Sequence, residues 1–257
     1  MSDYEAALKF EGLVDYDYGE IYNQIAYQQM RVGNLKDAQE NINQAIKRNH
    51  FDGNNWDTYG ELMYRLGKYQ DCVRYMGAAI TCAGGNENSW TDNSYYYRGL
   101  ANKELGYDAD ALEDLQRAKE LGKAEADSAL NRRFDDNNNR SGKFFNVYQS
   151  PTVETSSTRN LKIKAIESCE EYTTIYFTVS YTGGGWYQIN KDAYIEDDTN
   201  EEKLFLIKAE NIALSPEKTT IGNEIAEFSL TFPAINSTCK SINFSEGSKG
   251  WKVTGIK

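Results

Sequence analysis

The sequence predicts a multidomain α+β protein in which an all-α solenoid of helical repeats precedes an all-β sandwich. Three observations predict this class: a pattern that recurs three times in the first half, a hydrophobic period that changes from about 3.6 residues to 2, and a polar segment between the two regions. We expect the repeat domain at 1–134, a linker at 135–143 and the sandwich at 144–257. The linker sequence, DDNNNRSGK, has no apolar residue, which is typical of an exposed connection.

The repeats begin at aromatic residues, and each has a glycine at the turn between its two helices. The aromatic residues are Tyr22, Trp56 and Tyr95, and the glycines are Gly33, Gly67 and Gly106. Successive glycines are 34 and 39 residues apart, and the longer spacing places a polar loop at 83–89. Paired helices need small residues where their backbones approach closely. Each repeat has them at equivalent places: Ala26, Gly60 and Gly99, then Ala38, Cys72 and Ala111, then Ala45, Ala79 and Ala118.

This pattern resembles the tetratricopeptide repeat (TPR) family in its 34-residue period, its W-x-x-Y-G and G-x-Y motifs and its small residues. The resemblance covers roughly 20–122 and implies about three repeats. His50 and Gly84 stand where the family often has a proline. Flanking helices are predicted at 3–14 and 124–134, the second as the polar cap that ends a solenoid.

The second half has the alternation of β-strands. Ile175, Phe177 and Val179 alternate with the residues between them. Phe228, Leu230 and Phe232 alternate in the same way with Ser229 and Thr231. Seven or eight short strands separated by turn sequences predict an immunoglobulin-like sandwich. The region 158–257 is also similar to a β-domain of exported proteins from Bacteroidetes-type bacteria. The first 20 residues lack a signal-peptide pattern. The resemblance therefore implies a periplasmic or cell-surface location only if an upstream signal was removed.

The residue types needed for catalysis are scarce, so we expect no enzyme activity, no cofactor and no metal site. The single histidine, His50, is expected in a solvated loop, and no metalloprotease or phosphate-binding motif is present. The acidic run 196–198 lacks the ligand spacing of a calcium loop and is also expected to be solvated. The four cysteines are expected as buried free thiols, although Cys169 and Cys239 fall in one domain and a single bridge between them is possible.

The charge of the chain indicates which partners it does not bind. A formal net charge of −11 and a pI of about 4.8 disfavour nucleic acid, which requires a basic surface. No apolar run is long enough to span a bilayer, so no membrane insertion is expected. The partner class that remains is a protein or peptide.

The resemblance to TPR proteins implies that the first helix of each repeat lines a concave binding groove. By repeat position, the side chains expected there are Asn23, Tyr27, Met30 and Arg31 in the first repeat, Asp57, Glu61, Tyr64 and Arg65 in the second, and Tyr96, Leu100 and Lys103 in the third. Aromatic and arginine residues dominate the energetics of interfaces. The sequence therefore predicts a non-catalytic scaffold that binds a peptide or protein segment. The set lacks the Lys/Asn carboxylate clamp of chaperone-binding TPR domains.

The alternative hypothesis is a surface glycan-binding protein. It assigns Trp186, Tyr187 or Trp251 of the β-domain as an exposed platform on which sugar rings stack. The two hypotheses differ in a simple observable, because rings that are buried between the sheets cannot bind a glycan.

Overall fold

The structure, a computed structural model, describes residues 2–9, 13–84, 90–131, 142–143, 145–199, 202–222, 225–247 and 250–257. The chain divides into two compact units, Met1–Lys143 and Phe144–Lys257. The first unit is helical and the second is built of antiparallel β-sheets. Most of the predicted linker, 135–141, lies outside the described residues.

The first unit contains eight helices among the described residues. They are α1 Ser2–Ala7, α2 Asp15–Arg31, α3 Leu35–Arg48, α4 Gly53–Arg65, α5 Tyr69–Ala83, α6 Thr91–Glu104, α7 Asp108–Glu120 and α8 Ala124–Leu130. The predicted flanking helices are both shorter than expected. α1 ends at Ala7 and is followed by a turn at 8–9, and 10–12 lie outside the described residues. α8 ends at Leu130 and is followed by a turn at Asn131, and 132–134 lie outside the described residues.

The helices pack as the repeat pattern predicts, α2 with α3, α4 with α5 and α6 with α7. A Cβ atom at Gly60 would lie 2.8 Å from Met76 Sδ, and one at Gly99 would lie 2.9 Å from Leu115 Cγ, so the small residues are required by close helix approach. The turn glycines have φ angles of 82°, 72° and 77°, which favour glycine because it lacks a Cβ. These glycines are Gly33, Gly67 and Gly106.

The described end of the linker contacts the last helix pair. The Gly142 N–H donates a hydrogen bond to Asp110 Oδ2 at 2.6 Å. Lys143 Nζ lies 2.7 Å from Glu113 Oε2, in an exposed ion pair. Both acidic residues belong to α7, so the chain returns to this helix after α8.

The second unit has twelve strands among the described residues, more than the seven or eight that the sequence predicts. They are β1 Phe145–Gln149, β2 Thr155–Ser156, β3 Leu161–Cys169, β4 Tyr172–Ser180, β5 Gly185–Tyr187, β6 Tyr194–Asp197, β7 Leu204–Phe205, β8 Lys208–Glu210, β9 Thr219–Ile221, β10 Ile225–Pro233, β11 Ile242–Ser245 and β12 Lys252–Ile256. The difference arises because several strands have only two or three residues, too few for an alternating pattern to be visible.

Two five-stranded sheets form the body of the second unit, in the orders β1-β3-β4-β10-β8 and β2-β12-β11-β6-β7. A separate two-stranded sheet pairs β5 with β9. Rings from the two large sheets meet in the interior. The ring centroids of Phe177 and Phe244 are 5.2 Å apart, and those of Phe232 and Phe244 are 6.3 Å apart. All three rings are buried, so aromatic packing joins the two sheets.

Two residues that were expected in solvated loops are buried. His50 is 2% exposed, its ring lies 4.5 Å from that of Phe51, and its carbonyl accepts a hydrogen bond from Trp56 Nε1 at 2.7 Å. Asp197 is 4% exposed and accepts hydrogen bonds from the backbone N–H groups of Thr199 and Asn236. The expectation was wrong at both places. The Asp197 carboxylate is satisfied by neighbouring backbone N–H groups, and the His50 ring packs against Phe51.

All four cysteines lie within the described residues and are free thiols. Cys72 and Cys169 are buried, and Cys82 and Cys239 are half-buried. Burial raises the pKa of the Cys239 thiol to about 11. The thiol therefore stays protonated at neutral pH, where a reactive thiolate is scarce.

Candidate functional site

The first helices of the three repeats lie side by side, α2 against α4 and α4 against α6. We call the surface that they share the first-helix face. All of the predicted binding residues belong to these three helices. The structure leaves some of them accessible to solvent and buries others against the next repeat.

The first repeat contributes two exposed side chains. Tyr27 is 38% exposed, and Arg31 is exposed in the last turn of α2. The Arg31 guanidinium makes no hydrogen bond or ion pair with any residue that the structure describes. Asn23 and Met30 are buried, at 2% and 1% exposure, and Asn23 Oδ1 has no hydrogen-bond partner among the described residues. A ligand therefore has access to the second half of α2 rather than to its middle.

The second repeat directs two carboxyl groups toward α6. Asp57 accepts hydrogen bonds from Ser94 Oγ at 2.7 Å and from Asn93 Nδ2 at 2.9 Å. Glu61 accepts one from the Tyr97 hydroxyl at 3.1 Å. Both carboxyl side chains are about 5% exposed. They join repeat two to repeat three and are not open to a ligand.

Burial raises the pKa of Asp57 from its ordinary value of 3.8 to about 7. Hydrogen bonds from Ser94 and Asn93 oppose this shift, because they favour the charged carboxylate. The negative charge of Glu61 raises the pKa further, and the positive charge of Lys123 lowers it. Asp57 is therefore partly protonated near neutral pH, and the first-helix face is less acidic than its composition suggests.

Arg65 differs from Arg31 although both occupy the same repeat position. Arg65 Nε and Nη2 both donate to Glu61 Oε1, at 2.9 and 2.7 Å. Its positive charge is therefore compensated, while that of Arg31 is not. The sequence predicts two equivalent cations, 34 residues apart, and the structure distinguishes them by their partners.

The second and third repeats together contribute an aromatic surface. Tyr64, Tyr96 and Tyr97 are half-buried and pack against the buried cluster of Leu100, Leu115 and Ala129. The ring centroids are 5.3 Å apart for Tyr64 and Tyr97 and 5.2 Å apart for Tyr96 and Tyr97. We call these three rings the tyrosine cluster. Lys103 is not part of the tyrosine cluster. Its ammonium nitrogen lies 2.7 Å from Asp108 Oδ1, so its charge is already paired.

The structure adds Lys123 to this surface. Its Nζ donates to Asn93 Oδ1 at 2.8 Å and lies 5.5 Å from the centroid of the Tyr96 ring. Among the described residues its hydrogen-bonding partner is a neutral amide, so its positive charge is not cancelled by a contacting carboxylate. A cation of this kind beside aromatic rings can contact an acidic or carbonyl group of a ligand.

Sequence reasoning missed Asn93, Tyr97 and Lys123. A signal for the first two was present, since residues 93, 96, 97 and 100 follow the i, i+3, i+4, i+7 spacing of one helix face. Lys123 precedes α8, outside the three repeats, and nothing in the repeat pattern relates it to α6.

The three aromatic residues of the glycan hypothesis have different environments. Tyr187 is 4% exposed, and the half-buried Trp251 ring stacks on Phe228 with centroids 6.2 Å apart. Trp186 is 50% exposed, and Lys218 Nζ lies 3.8 Å from the centroid of its ring. One of the three rings is therefore accessible as a stacking platform.

The second unit also contains a cavity of about 270 Å³ between its two large sheets. The paired residues Tyr148 and Ile166 line one side, and the paired residues Ile242 and Ile256 line the other. The loop at 235–241 also contributes to the lining, including Cys239. The lining is mostly apolar.

Within the described residues, no group of three or more His, Cys, Asp or Glu side chains is arranged to hold a metal ion. No helix in the described part of the chain has the length and hydropathy needed to cross a membrane.

Comparison with known proteins finds likeness only among solved structures. No protein-family model matches the sequence, and no curated protein does. The crystal structure of the APC/C hetero-tetramer Cut9–Hcn1 is 19% identical, with a TM-score of 0.42 over 44% of this chain and 22% of that one. The first TPR of Spaghetti (RPAP3), bound to the HSP90 peptide SRMEEVD, is 18% identical, with a TM-score of 0.41 over 46% and 90%. The Arabidopsis OM64 TPR domain is 18% identical, with a TM-score of 0.41 over 47% and 99%.

Proposed function

We propose that the first unit is a TPR domain that binds an extended peptide or protein segment on its first-helix face, without catalysis. In this proposal the second unit is an immunoglobulin-like sandwich that serves as another contact module. The observation that carries the proposal is the tyrosine cluster, whose rings are only half-buried, whereas Trp56, which stacks on Tyr75 of α5, is 2% exposed. Aromatic rings that remain open to solvent beside cations are typical of interface hot spots.

The charges on the first-helix face favour an acidic or carbonyl-rich ligand. Glu61 is bound by Arg65, and burial keeps Asp57 partly protonated near neutral pH. Among the described residues, Arg31 and Lys123 are cations of this face that no contacting carboxylate compensates. The proposed ligand therefore presents acidic or carbonyl groups to these two cations and an apolar side chain to the tyrosine cluster.

The experiment is a pull-down from the native organism with the full chain and with Arg31→Ala/Lys123→Ala. Removing a desolvated charged anchor commonly costs about 2–5 kcal/mol of binding free energy, so the double variant should lose the partner. The matched control is Lys36→Ala/Lys47→Ala, which removes two exposed lysines from α3, a second helix of its repeat. Circular dichroism melts verify that all variants are folded.

Arg65 provides a second test of the same face. Arg65→Ala removes the cation that binds the buried Glu61 carboxylate, so it should lower stability as well as binding. Partner recovery at wild-type yield by Arg31→Ala/Lys123→Ala and by Arg31→Ala/Arg65→Ala would exclude the first-helix face as the binding site. Loss of the partner in the Lys36→Ala/Lys47→Ala control would show that net charge, rather than position, controls binding.

The alternative of glycan binding depends on Trp186 alone. Titration with oligosaccharides should then change tryptophan fluorescence in the wild type, and Trp186→Ala should remove that change. The first proposal predicts that Trp186→Ala leaves recovery of the protein partner unchanged, so the two functions are separated by one variant.

A further inference from the structure

The strand β1 is an unusual edge of its sheet. The two large sheets have four edge strands, β1, β8, β2 and β7. β8 has three residues and carries Lys208 and Glu210, and β2 and β7 have two residues each. Short or charged edges of this kind resist pairing with other chains. β1 has five residues, Phe-Asn-Val-Tyr-Gln, with no charge and no proline.

Every residue of β1 is exposed. Tyr148 lines the cavity between the sheets, so the alternation of a strand places Phe145 and Val147 on the opposite, outer face. Phe145 is 62% exposed and Val147 is 43% exposed. The strand therefore leaves the apolar side chains of Phe145 and Val147 exposed to water.

The backbone of β1 has an unpaired side. The Ser150 N–H bonds to the Lys164 carbonyl of β3 at 2.8 Å, which extends the β1–β3 register by one pair. In an antiparallel ladder, residues alternate between those bonded to the neighbour and those whose N–H and C=O point away. The alternation directs the backbone groups of Val147 and Gln149 away from β3, and no other described residue bonds to them.

We propose that β1 pairs antiparallel with the β1 of a second copy of this chain. A two-fold axis at Val147 places this residue opposite Val147 of the second copy, and Phe145 opposite Gln149. These three residue pairs exchange about six backbone hydrogen bonds. A two-fold axis brings identical residues close together, so a charged strand would place like charges opposite each other. β1 carries no charge, so pairing with its own copy brings no such repulsion. The same axis brings the exposed Phe145 and Val147 side chains of both copies into one apolar cluster on the outer face.

The dimer is weak and depends on salt. A five-residue strand pair buries far less than the roughly 1,200–2,000 Å² of a stable interface. Each copy has a net charge of −11, so the two copies repel at low ionic strength. Salt screens this repulsion, since the Debye length falls from about 10 Å at 0.1 M to about 3 Å at 1 M. Association therefore strengthens as salt is added, unlike association through ion pairs.

The test is sedimentation equilibrium of the full chain, at loading concentrations from about 10 µM to about 1 mM and in low and high salt. The expected result is a mass that rises from 29.2 kDa toward twice that value, and rises further in high salt. Val147→Lys sets two like charges opposite each other and should weaken the dimer at least about tenfold. Val153→Lys, at a 37% exposed site beyond the strand, adds the same charge and should retain the dimer.

Two further measurements test the proposed β1 pairing even if Val147→Lys does not fold. Val147→Pro removes an N–H that points away from β3, so it should abolish the dimer while the melting temperature stays close to that of the wild type. In the wild type, hydrogen exchange at the Val147 amide should slow as protein concentration rises. A monomeric mass under all conditions overturns the proposal. So does a dimer that survives Val147→Pro, or one that Val153→Lys weakens as much as Val147→Lys does.

Discussion

Repeats two and three place different chemistry at the same helix crossing. In repeat two, Tyr59 of α4 and Tyr75 of α5 stack with centroids 4.5 Å apart. The equivalent residues of repeat three, each 39 positions later, are Arg98 of α6 and Asp114 of α7. Their charged groups form a buried ion pair at 2.7 Å, with both side chains 7% exposed. The repeat determines which two positions meet, and it leaves the chemistry of the contact open.

In repeat one, the residue equivalent to Tyr75 and Asp114 makes a third kind of contact. Asn41, which is equivalent to Asp114, donates its side-chain amide to Gln29 at 2.9 Å. In repeat three, Asn102 occupies the place of Gln29 and donates to Asp114 at 3.2 Å. An amide pair, an aromatic stack and an ion pair are thus alternatives within one backbone geometry. Each is internally satisfied, as buried groups must be.

The largest expected effect is at the ion pair. Asp114→Ala leaves the buried Arg98 guanidinium without its carboxylate and should cost about 3–5 kcal/mol of unfolding free energy. The measurement is urea denaturation followed by circular dichroism. Glu113→Ala, which removes an exposed carboxylate from the adjacent position, should cost less than about 1 kcal/mol. Equal losses in the two variants would contradict the buried-pair interpretation.

A transplant sharpens the comparison. Arg98→Tyr/Asn102→Met/Asp114→Tyr gives repeat three the residues of repeat two at these positions. A buried ion pair can often be replaced by well-packed apolar residues without loss, so the triple variant should be at least about 2 kcal/mol more stable than Asp114→Ala. A triple variant as unstable as Asp114→Ala would show that the two crossings differ in backbone geometry.

The next effect should be common to all repeats. Ala38 and Ala111 are 1% and 0% exposed at equivalent helix crossings. Ala38→Leu and Ala111→Leu should each cost about 1–3 kcal/mol because overpacking forces neighbouring side chains or helices apart. Thermal melts provide the measurement, with Asn43→Ala on an exposed face as the control. Unchanged melting in both leucine variants would mean that the repeat register is wrong.

A smaller effect depends on pH. Because burial raises the pKa of Asp57 to about 7 in the folded chain, the folded state holds a proton that the unfolded state releases above about pH 4. The contribution of Asp57 to stability is therefore greatest at low pH and declines as pH rises from about 4 to about 7. Relative to the wild type, Asp57→Asn should become steadily more stable across this window. Melts of both proteins at several pH values measure the difference, and a difference that does not change between about pH 4 and about pH 7 would contradict the raised pKa of Asp57.

The smallest effect is expected from separating the two units. The linker has no apolar residue to bury, so limited proteolysis should cut near 137–142 and release two folded fragments. Each fragment should keep its unfolding free energy within about 1 kcal/mol of its value in the full chain. Fragments that aggregate, or a linker that resists cleavage, would show that the units depend on each other.

Much of the helical unit was predictable because its determinants are local in the sequence. Each helix pair carries its own signals, a glycine in the left-handed conformation at the turn and small residues at the crossing. The 34-residue spacing then repeats these signals along the chain. The short strands of the second unit were harder to predict. β2 and β7 have two residues each, too few to show alternation, and β2 pairs with β12, which is distant in the sequence.

The candidate site shows the same division between local and distant determinants. The sequence by itself determined that Asp57, Glu61 and Arg65 lie on a first helix, because helix periodicity and repeat register need no other information. The Arg65–Glu61 pair has the i, i+4 spacing of one helix and is local as well. Only the tertiary structure decided that both carboxyl groups are buried. Their donors Asn93 and Tyr97 lie more than 30 residues away, and helix stacking brings them within hydrogen-bonding distance. Exposure depends on neighbours that the residue's own sequence context does not contain.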